Sequence, residues 1–450
     1  MDRVTEFLDM VSGYVWGPPL LILLVGTGIF LTIRVGILQI RLLPYALKLV
    51  FTKSKDKQSE GDISHFQALM TAMAATVGVG NIVGVATAVV MGGPGAIFWM
   101  WLAGFFGMAT KYGEAILAVK YRVKDSKGQM SGGPMYYLEH GLKQKWLGVL
   151  FAIFGAFAAF GIGNGTQAKA VADAMNNTFN IPFWLTGVVL VIFAGLVILG
   201  GIKWIGRVTS FFVPIMAFFY LIVGLIIMAM NIDLIPAAFS LIFTDAFSGE
   251  AIAGGAIGTV IRFGIARGLF SNEAGLGSAP IAAAAAKSDI PGRQALVSMT
   301  QVLFDTLVIC SITGVTIVMS GAWKDTSIEA GALTAEAWGN LIGGFGPALV
   351  SLGIIFFASS TILGWGYYGE KCFQYLFSNE IAVTGYRIAF VLFIFVGATV
   401  SLDLIWSLAD VLNGLMAAPN LIGLLGLSGV IVAETKRLQK KIKEEKQEAA

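Results

Sequence analysis

The sequence predicts an all-α protein that crosses a membrane eleven times, as two five-helix halves of opposite direction behind one additional N-terminal helix. Three observations carry this reading. First, 56% of the 450 residues are hydrophobic and only 13% are charged, with a mean hydropathy of +0.79. A soluble protein carries roughly 25% charged residues, and the apolar runs here are long enough to cross ~30 Å of hydrocarbon. Second, Lys and Arg fall on alternate connections. Third, two of the apolar segments share a similar glycine-rich interruption.

The additional helix comes first, at about Val15 to Ile33. The segment before it, Met1 to Tyr14, is acidic. It lacks the basic start of a cleaved signal peptide, so the apolar run is expected to stay as a helix. Ten spans follow, near Ser64–Val90, Pro94–Val119, Trp146–Phe179, Pro182–Leu199, Ile205–Met230, Ala251–Ala286, Gln294–Met319, Pro347–Tyr375, Ile381–Val400 and Leu404–Val432. Short connections make this one integral unit. Its expected parts are 1–63 (N-terminal helix and basic linker), 64–230 (first repeat), 231–432 (second repeat) and 433–450 (basic tail).

One side of the membrane collects Arg34, Arg41, Lys48, Lys53, Lys55 and Lys57, then the basic residues of 120–145, 203–207, 287–293, 371–387 and the tail. The other side has Arg3 and Lys324 among acids such as Asp9, Asp233, Asp245, Glu250 and Asp403. The positive-inside rule then places the N-terminus outside and the C-terminal tail in the cytoplasm of a cell-membrane protein.

The interruptions read Ala74-Ala75-Thr76-Val77-Gly78-Val79-Gly80-Asn81-Ile82-Val83-Gly84 and Gly264-Ile265-Ala266-Arg267-Gly268-Leu269-Phe270-Ser271-Asn272-Glu273-Ala274-Gly275-Leu276-Gly277. Lipid offers no hydrogen-bond partner, so backbone opened at membrane depth must face protein, water or a ligand. Asn81 falls on Asn272 and Gly84 on Gly275 when the two are overlaid. Five spans apart, they point in opposite directions, which is the pattern of an inverted repeat with its site at the breaks.

The chain resembles the alanine or glycine:cation symporter family of the amino acid–polyamine–organocation superfamily. The resemblance rests on Gly78-Val79-Gly80-Asn81-Ile82-Val83-Gly84-Val85-Ala86, Gly93-Pro94-Gly95-Ala96-Ile97-Phe98-Trp99-Met100-Trp101 and Gly107-Met108-Ala109-Thr110-Lys111-Tyr112. It continues in Ser131-Gly132-Gly133-Pro134-Met135-Tyr136-Tyr137 and Ser271-Asn272-Glu273-Ala274-Gly275-Leu276-Gly277-Ser278-Ala279-Pro280. It implies the leucine-transporter fold and cation-coupled uptake of a small amino acid.

Candidate site residues follow. Freed amides near Gly78 and Gly80 suit a carboxylate at a helix N-terminus. Carbonyls of Ala74, Thr76 and Val77 suit Na⁺ or an ammonium group. The bland alternative is that Gly80 and Gly84 allow close helix packing. Asn81 is polar in hydrocarbon and needs a partner. Asn272 is expected to reach substrate and Phe270 to cap a small side chain, with Glu273 and Arg267 paired structurally. Asn164 and Gln167 share a helix face. Since the resemblance turns that helix to the central site, Gln167 is the expected substrate contact, against an interhelical hydrogen bond. The resemblance also implies a Na⁺ site of Ser360 and Thr361 hydroxyls, the Ala358 carbonyl and the break. Such hydroxyls also bond back to their own helix. Trp365 is a candidate wall or gate. Lys169 with Asp173, and Lys111, Glu114, Asp305 and Asp410, read as paired charges rather than a proton relay.

Cys310 and Cys372 lie in apolar segments, His65 and His140 near boundaries, and no Cys/His cluster has metal spacing. The scattered basic residues do not indicate nucleic acid, and no catalytic set argues for an enzyme. The expected activity is Na⁺-coupled uptake of alanine or glycine. Proton coupling or a channel is the alternative. Oligomeric state is not legible.

Overall fold

The computed structural model describes residues 2–52, 59–247, 256–400 and 403–448. The first residues of the expected sixth repeat span, 251–255, lie outside the described residues, as do Lys53, Lys55, Lys57 and Glu250.

Helices α1 (Asp2–Val15) and α2 (Pro18–Arg34) form the N-terminal element. The helix is interrupted at Trp16 and Gly17, because Pro18 and Pro19 have no N–H to continue the ladder. Short helices α3 (Leu38–Arg41) and α4 (Leu43–Phe51) lead to the first broken span. That span is α5 (His65–Thr76), a 3₁₀ turn at Val79–Asn81, and α6 (Val83–Gly92). Ser64 caps α5, accepting from the Gln67 amide at 3.1 Å while its own amide donates to Gln67 Oε1 at 3.0 Å. The two halves differ in direction by 65°.

The first repeat continues with α7 (Ala96–Lys120), a hairpin of β1 (Val123–Lys124) and β2 (Met130–Ser131), and α8 (Pro134–His140). Then come α9 (Lys145–Phe160), a π-helical stretch Gly161–Gly165, and α10 (Thr166–Phe179). Helices α11 (Phe183–Ile198) and α12 (Gly201–Met230) complete it, with α13 (Ile235–Ala246) beyond. The second broken span is α14 (Ala256–Asn272) and α15 (Pro280–Ala284). After it come α16 (Pro291–Val302), a π-helical stretch Leu303–Cys310, and α17 (Ser311–Ser320). The chain ends with α18 (Ala330–Ile342), α19 (Phe345–Leu376), α20 (Glu380–Thr399), α21 (Asp403–Gly426) and α22 (Ser428–Glu448).

Apart from the two breaks, the expected spans are helical over most of their described residues. Among the described residues, seven helical stretches qualify as crossings by length and hydropathy alone, or eight with the bent α5–α6 pair. The others are shortened or diluted: α7 carries Lys111 and Glu114, α11 has 16 residues, and the second break divides α14 from α15.

The two broken spans run antiparallel. Ile63, before α5, pairs in a β-bridge with Ala286, just after α15. At the other end, a Cβ on Gly92 would lie 3.3 Å from Phe263 and 3.4 Å from Val260. The start of each span therefore lies beside the end of the other. Helix α7 packs on α14 and α16, while α9 and α10 pack on α19, and α11 on α20. The breaks face each other across the boundary between these two groups.

The last span ends at Gly426 rather than Val432, and the segment beyond it is a docked helix rather than a free basic tail. The reason is amphipathicity: α22 buries Ile431, Leu438 and Ile442 while its basic residues face outward. Buried Glu434 pairs with Lys120 at 2.5 Å, and Glu445 pairs with Arg293.

Candidate functional site

The first break begins where Val77 leaves helical geometry and Gly78 becomes extended. Gly78 is required sterically rather than for its backbone angle. A Cβ there would lie 2.5 Å from Thr361 Oγ1 and 3.2 Å from Gln167 Oε1. The absence of a side chain lets the break press against α19 and α10 together. Close approach of α5 to α19 is completed by Gly364, where a Cβ would meet the Ala75 backbone at 2.7 Å.

Four oxygens meet at this contact. Ser360 Oγ lies 3.2 Å from the Ala74 carbonyl and 3.5 Å from that of Val77, and Thr361 Oγ1 lies 3.4 Å from the Val77 carbonyl. Both hydroxyls also reach the Phe357 carbonyl of their own helix, at 2.8 and 3.0 Å. A hydroxyl that gives its proton to Phe357 keeps its lone pairs for a cation. The α19 carbonyl that these hydroxyls bond is that of Phe357, because Ser and Thr bond back three or four residues along a helix; the expected cation ligand, the Ala358 carbonyl, is not among their partners. Ala358 itself is buried.

Beside this cluster lies a cavity of about 310 Å³, lined by Val79, Gly80, Thr166, Gln167 and Phe270, with Arg267, Asp9 and Asp410 toward its mouth. Gln167 occupies both places weighed for it. It lines the cavity, and it joins the breaks of two helices. Its Oε1 accepts from the Val79 amide at 3.3 Å, and its Nε2 donates to the Ile162 carbonyl at 2.9 Å. The Ile162 carbonyl belongs to the π-helical stretch, where the wide turn presents it sideways. Phe270 stands on the opposite wall, edge-on to Trp16 at 6.3 Å. Trp16 also donates to the Asp410 carbonyl at 3.2 Å, and Ser12 bonds the Asp410 carboxylate, so the N-terminal element builds part of the mouth.

The two broken spans are tied together at the end away from Gly92 and Val260. Arg122 donates to the carbonyls of Ala284, Ala286, Ser288 and Glu60 at 2.6–3.0 Å, clamping the end of the second broken span to the approach of the first.

Five expected substrate contacts do not line the cavity. The Gly78 amide donates to Asn81 Oδ1 at 2.9 Å, so its hydrogen-bonding capacity closes the turn. Asn81 Nδ2 is 2.7 Å from Asp305 Oδ1, directing that side chain away from the cavity. Asn272 accepts from the Ala274 amide at 2.9 Å and donates to Thr306 at 2.9 Å. Thr76 bonds back to the Ala72 carbonyl at 3.1 Å. Trp365 fills the space left by Gly163 and donates to Glu273 Oε1 at 2.9 Å. These placements share one physical cause: a polar group buried at membrane depth takes a polar partner within the protein.

The expected Arg267–Glu273 pair does not form. Glu273 is held by Trp365 and Ser278, whereas Arg267 faces the mouth near Phe270, 5.9 Å over its ring. Lys169 and Asp173 do pair, and Lys111 lies 3.8 Å from Glu114. Asn164 shares the helix face of Gln167 but donates to the Phe390 carbonyl at 2.7 Å. The group the sequence undervalued is Asp305. Its carboxylate accepts from Asn81 of the first break, from Ser271 of the second at 3.0 Å and from Thr306 at 2.8 Å. A lone carboxylate in an apolar segment, in a chain with two asparagine-bearing breaks, was the available signal.

The whole chain, residues 1–450, matches the model of the sodium:alanine symporter family. It is 60% identical to the sodium/alanine symporter AgcS of Methanococcus maripaludis, over 97% of each chain. It is 51% identical to an uncharacterized transporter of Haemophilus influenzae, over 98% of this chain and 97% of the relative. Among solved structures, MhsT in complex with L-phenylalanine superposes with a TM-score of 0.58 at 14% identity, covering 84% of this chain and 98% of MhsT. That likeness identifies the architecture as the leucine-transporter fold.

Proposed function

The chain belongs to the sodium:alanine symporter family, and from this membership and the site we propose that it couples inward Na⁺ movement to uptake of alanine or glycine. The observation that carries the reading is the meeting of the Ala74 and Val77 carbonyls with the Ser360 and Thr361 hydroxyls beside the cavity of Gly80, Gln167 and Phe270. Hard oxygen ligands without a histidine suit Na⁺. The substrate carboxylate lies on the opened backbone at Gly80, within reach of Gln167, and Phe270 limits side-chain size. Arg122 ties the two broken spans together at one end while the cavity lies between Gly80, Gln167 and Phe270, an arrangement suited to loading. Joint binding of both ligands then favours a closed state over the open one.

We further propose, from the Lys and Arg distribution, that the mouth faces outside a cell membrane and α22 lies in the cytoplasm. Residues 64–230 and 231–432 form the two repeats, with 1–63 before them and 433–450 after. Uptake of labelled alanine into proteoliposomes with imposed gradients tests the function. Accumulation driven by Na⁺ and not by H⁺ is expected, and accumulation driven by H⁺ alone sinks the coupling proposed.

Two variants probe the cavity. Gln167→Ala is expected to weaken alanine binding by roughly 1–2 kcal/mol, toward the low end of the worth of a hydrogen bond to a charged group. Equilibrium binding of labelled alanine reads this, and unchanged affinity removes Gln167 from the substrate's partners. Phe270→Ala enlarges the cavity, so valine and leucine are expected to compete with alanine, while alanine binds less tightly for lack of an apolar contact. Retained strict selection in competition uptake would show that Phe270 does not set the size limit.

A further inference from the structure

A second cavity, of about 380 Å³, lies on the opposite face of α19 from the Ser360 and Thr361 hydroxyls. It runs between α10, α11, α12 and α19, and its walls include Leu190, Phe193, Phe212 and Phe356. Two hydroxyls interrupt this apolar lining, those of Thr186 and Ser359. Thr186 is 3% exposed, and its Oγ1 has no hydrogen-bond partner. An unpartnered buried hydroxyl is costly, and here its residue forms part of the cavity wall.

The groove is continuous with the surface that faces lipid. Val189, on its rim, is 56% exposed, and Ile192 and Leu196 beside it are 58% and 76% exposed. Water has no partners along such walls, so in a bilayer hydrocarbon chains fill the space. The position of Thr186 narrows the occupant. It lies in the first turn of α11, two residues from Trp184, which is 58% exposed. Exposed tryptophans mark the headgroup level of a membrane. Thr186 therefore stands just inside that level, on the side of the substrate cavity's mouth. This is the depth of the ester carbonyls of a phospholipid. Such a carbonyl accepts a hydrogen bond, and the chain below it is apolar.

We infer that this groove is a phospholipid site. One acyl chain enters from the leaflet on the mouth side, its ester carbonyl accepts from Thr186 Oγ1, and its tail runs past Leu190 and Phe193 to Phe356 and Ser359. The bound chain then backs the helix that carries the proposed sodium hydroxyls.

The test uses the full chain in proteoliposomes containing a phosphatidylcholine with a diazirine midway along one ester-linked chain. Photolysis and peptide mapping are expected to place label on Phe356 or Ser359 as well as on the outer belt at Ile192 and Leu196. Leu190→Trp fills the groove and is expected to remove the inner label while the belt label stays. Thr186→Val keeps the shape, and is expected to lower the inner label several-fold. An ether-linked analogue, which lacks the carbonyl, is expected to do the same with the unaltered protein. Belt label without inner label, or inner label that survives Leu190→Trp, overturns the site. Equal inner labelling by ester and ether lipids, unchanged by Thr186→Val, overturns the assignment to an ester anchor.

Discussion

Gly78→Ala is expected to reduce Na⁺-driven alanine uptake by on the order of 10- to 100-fold, following an overpacking cost of about 1–3 kcal/mol. The added methyl would sit 2.5 Å from Thr361 Oγ1. That oxygen is on a β-branched side chain of a packed helix, so it has few other rotamers to adopt. Either Thr361 turns away, or the first break lifts off α19. Both outcomes separate the Val77 carbonyl from the hydroxyls. Gly80→Ala is the comparison: its Cβ lies 3.6 Å from the Phe270 ring, an ordinary contact. It narrows the cavity without disturbing the four-oxygen cluster. Its effect is therefore expected in alanine affinity and not in the Na⁺ dependence. Uptake measured against Na⁺ concentration separates the two variants. Normal Na⁺ dependence in a folded Gly78→Ala protein would show that the contact between the break and α19 does not hold the cation.

This contrast bears on what the sequence could reveal. Glycine at Gly80 and Gly84 has the spacing of a helix-packing motif, yet a Cβ on Gly84 would meet nothing within 4 Å. The close contacts belong to Gly78 and Gly364, whose partners lie nearly three hundred residues away in the chain and leave no local pattern. The hydroxyl pair came from the family resemblance, which implies a pair facing the first break; polarity alone did not choose Ser360 and Thr361 over Ser359. The inverted repeat was legible because loop charge and motif overlay agreed.

The asparagines were less legible. An amide serves a ligand, a carbonyl or a carboxylate equally well, and only the fold decides. Asn81 and Asn272 each sit at a break, as a ligand contact would, but each spends its groups on partners within the protein. Trp365 looked like a wall because it is large and near the hydroxyls. Its indole N–H instead satisfies Glu273, whose intended partner could not be chosen from spacing alone. The place of α1 at the mouth was hidden for another reason. An acidic amphipathic segment before an apolar run is compatible with a free end, and its seat is set by Ser12 and Trp16 meeting Asp410 on a distant helix.

The Ser360→Ala, Thr361→Ala double variant is expected to raise the Na⁺ concentration needed for half-maximal uptake by at least ~10-fold, and by more if the losses add. Each hydroxyl that serves a cation contributes about 1.5–3 kcal/mol, as hydrogen bonds to charged groups do, and adjacent ligands of one ion are not expected to add fully. The fold should tolerate the change. Both hydroxyls bond the Phe357 carbonyl, which the backbone of α19 also engages, so alanine leaves no isolated group there. Two carbonyls, of Ala74 and Val77, remain to hold Na⁺ weakly, so high Na⁺ is expected to restore much of the maximal rate. Coupling supplies an independent reading. If Na⁺ favours alanine binding, alanine favours Na⁺ binding by the same factor. At low Na⁺ the double variant should therefore bind alanine poorly, and at high Na⁺ its alanine affinity should return toward normal, because Gln167 and Phe270 are untouched. A variant that folds, keeps its Na⁺ dependence and binds alanine normally at low Na⁺ would move the cation away from α19. A variant whose alanine affinity stays low at all Na⁺ concentrations would place the hydroxyls in the substrate's own site instead.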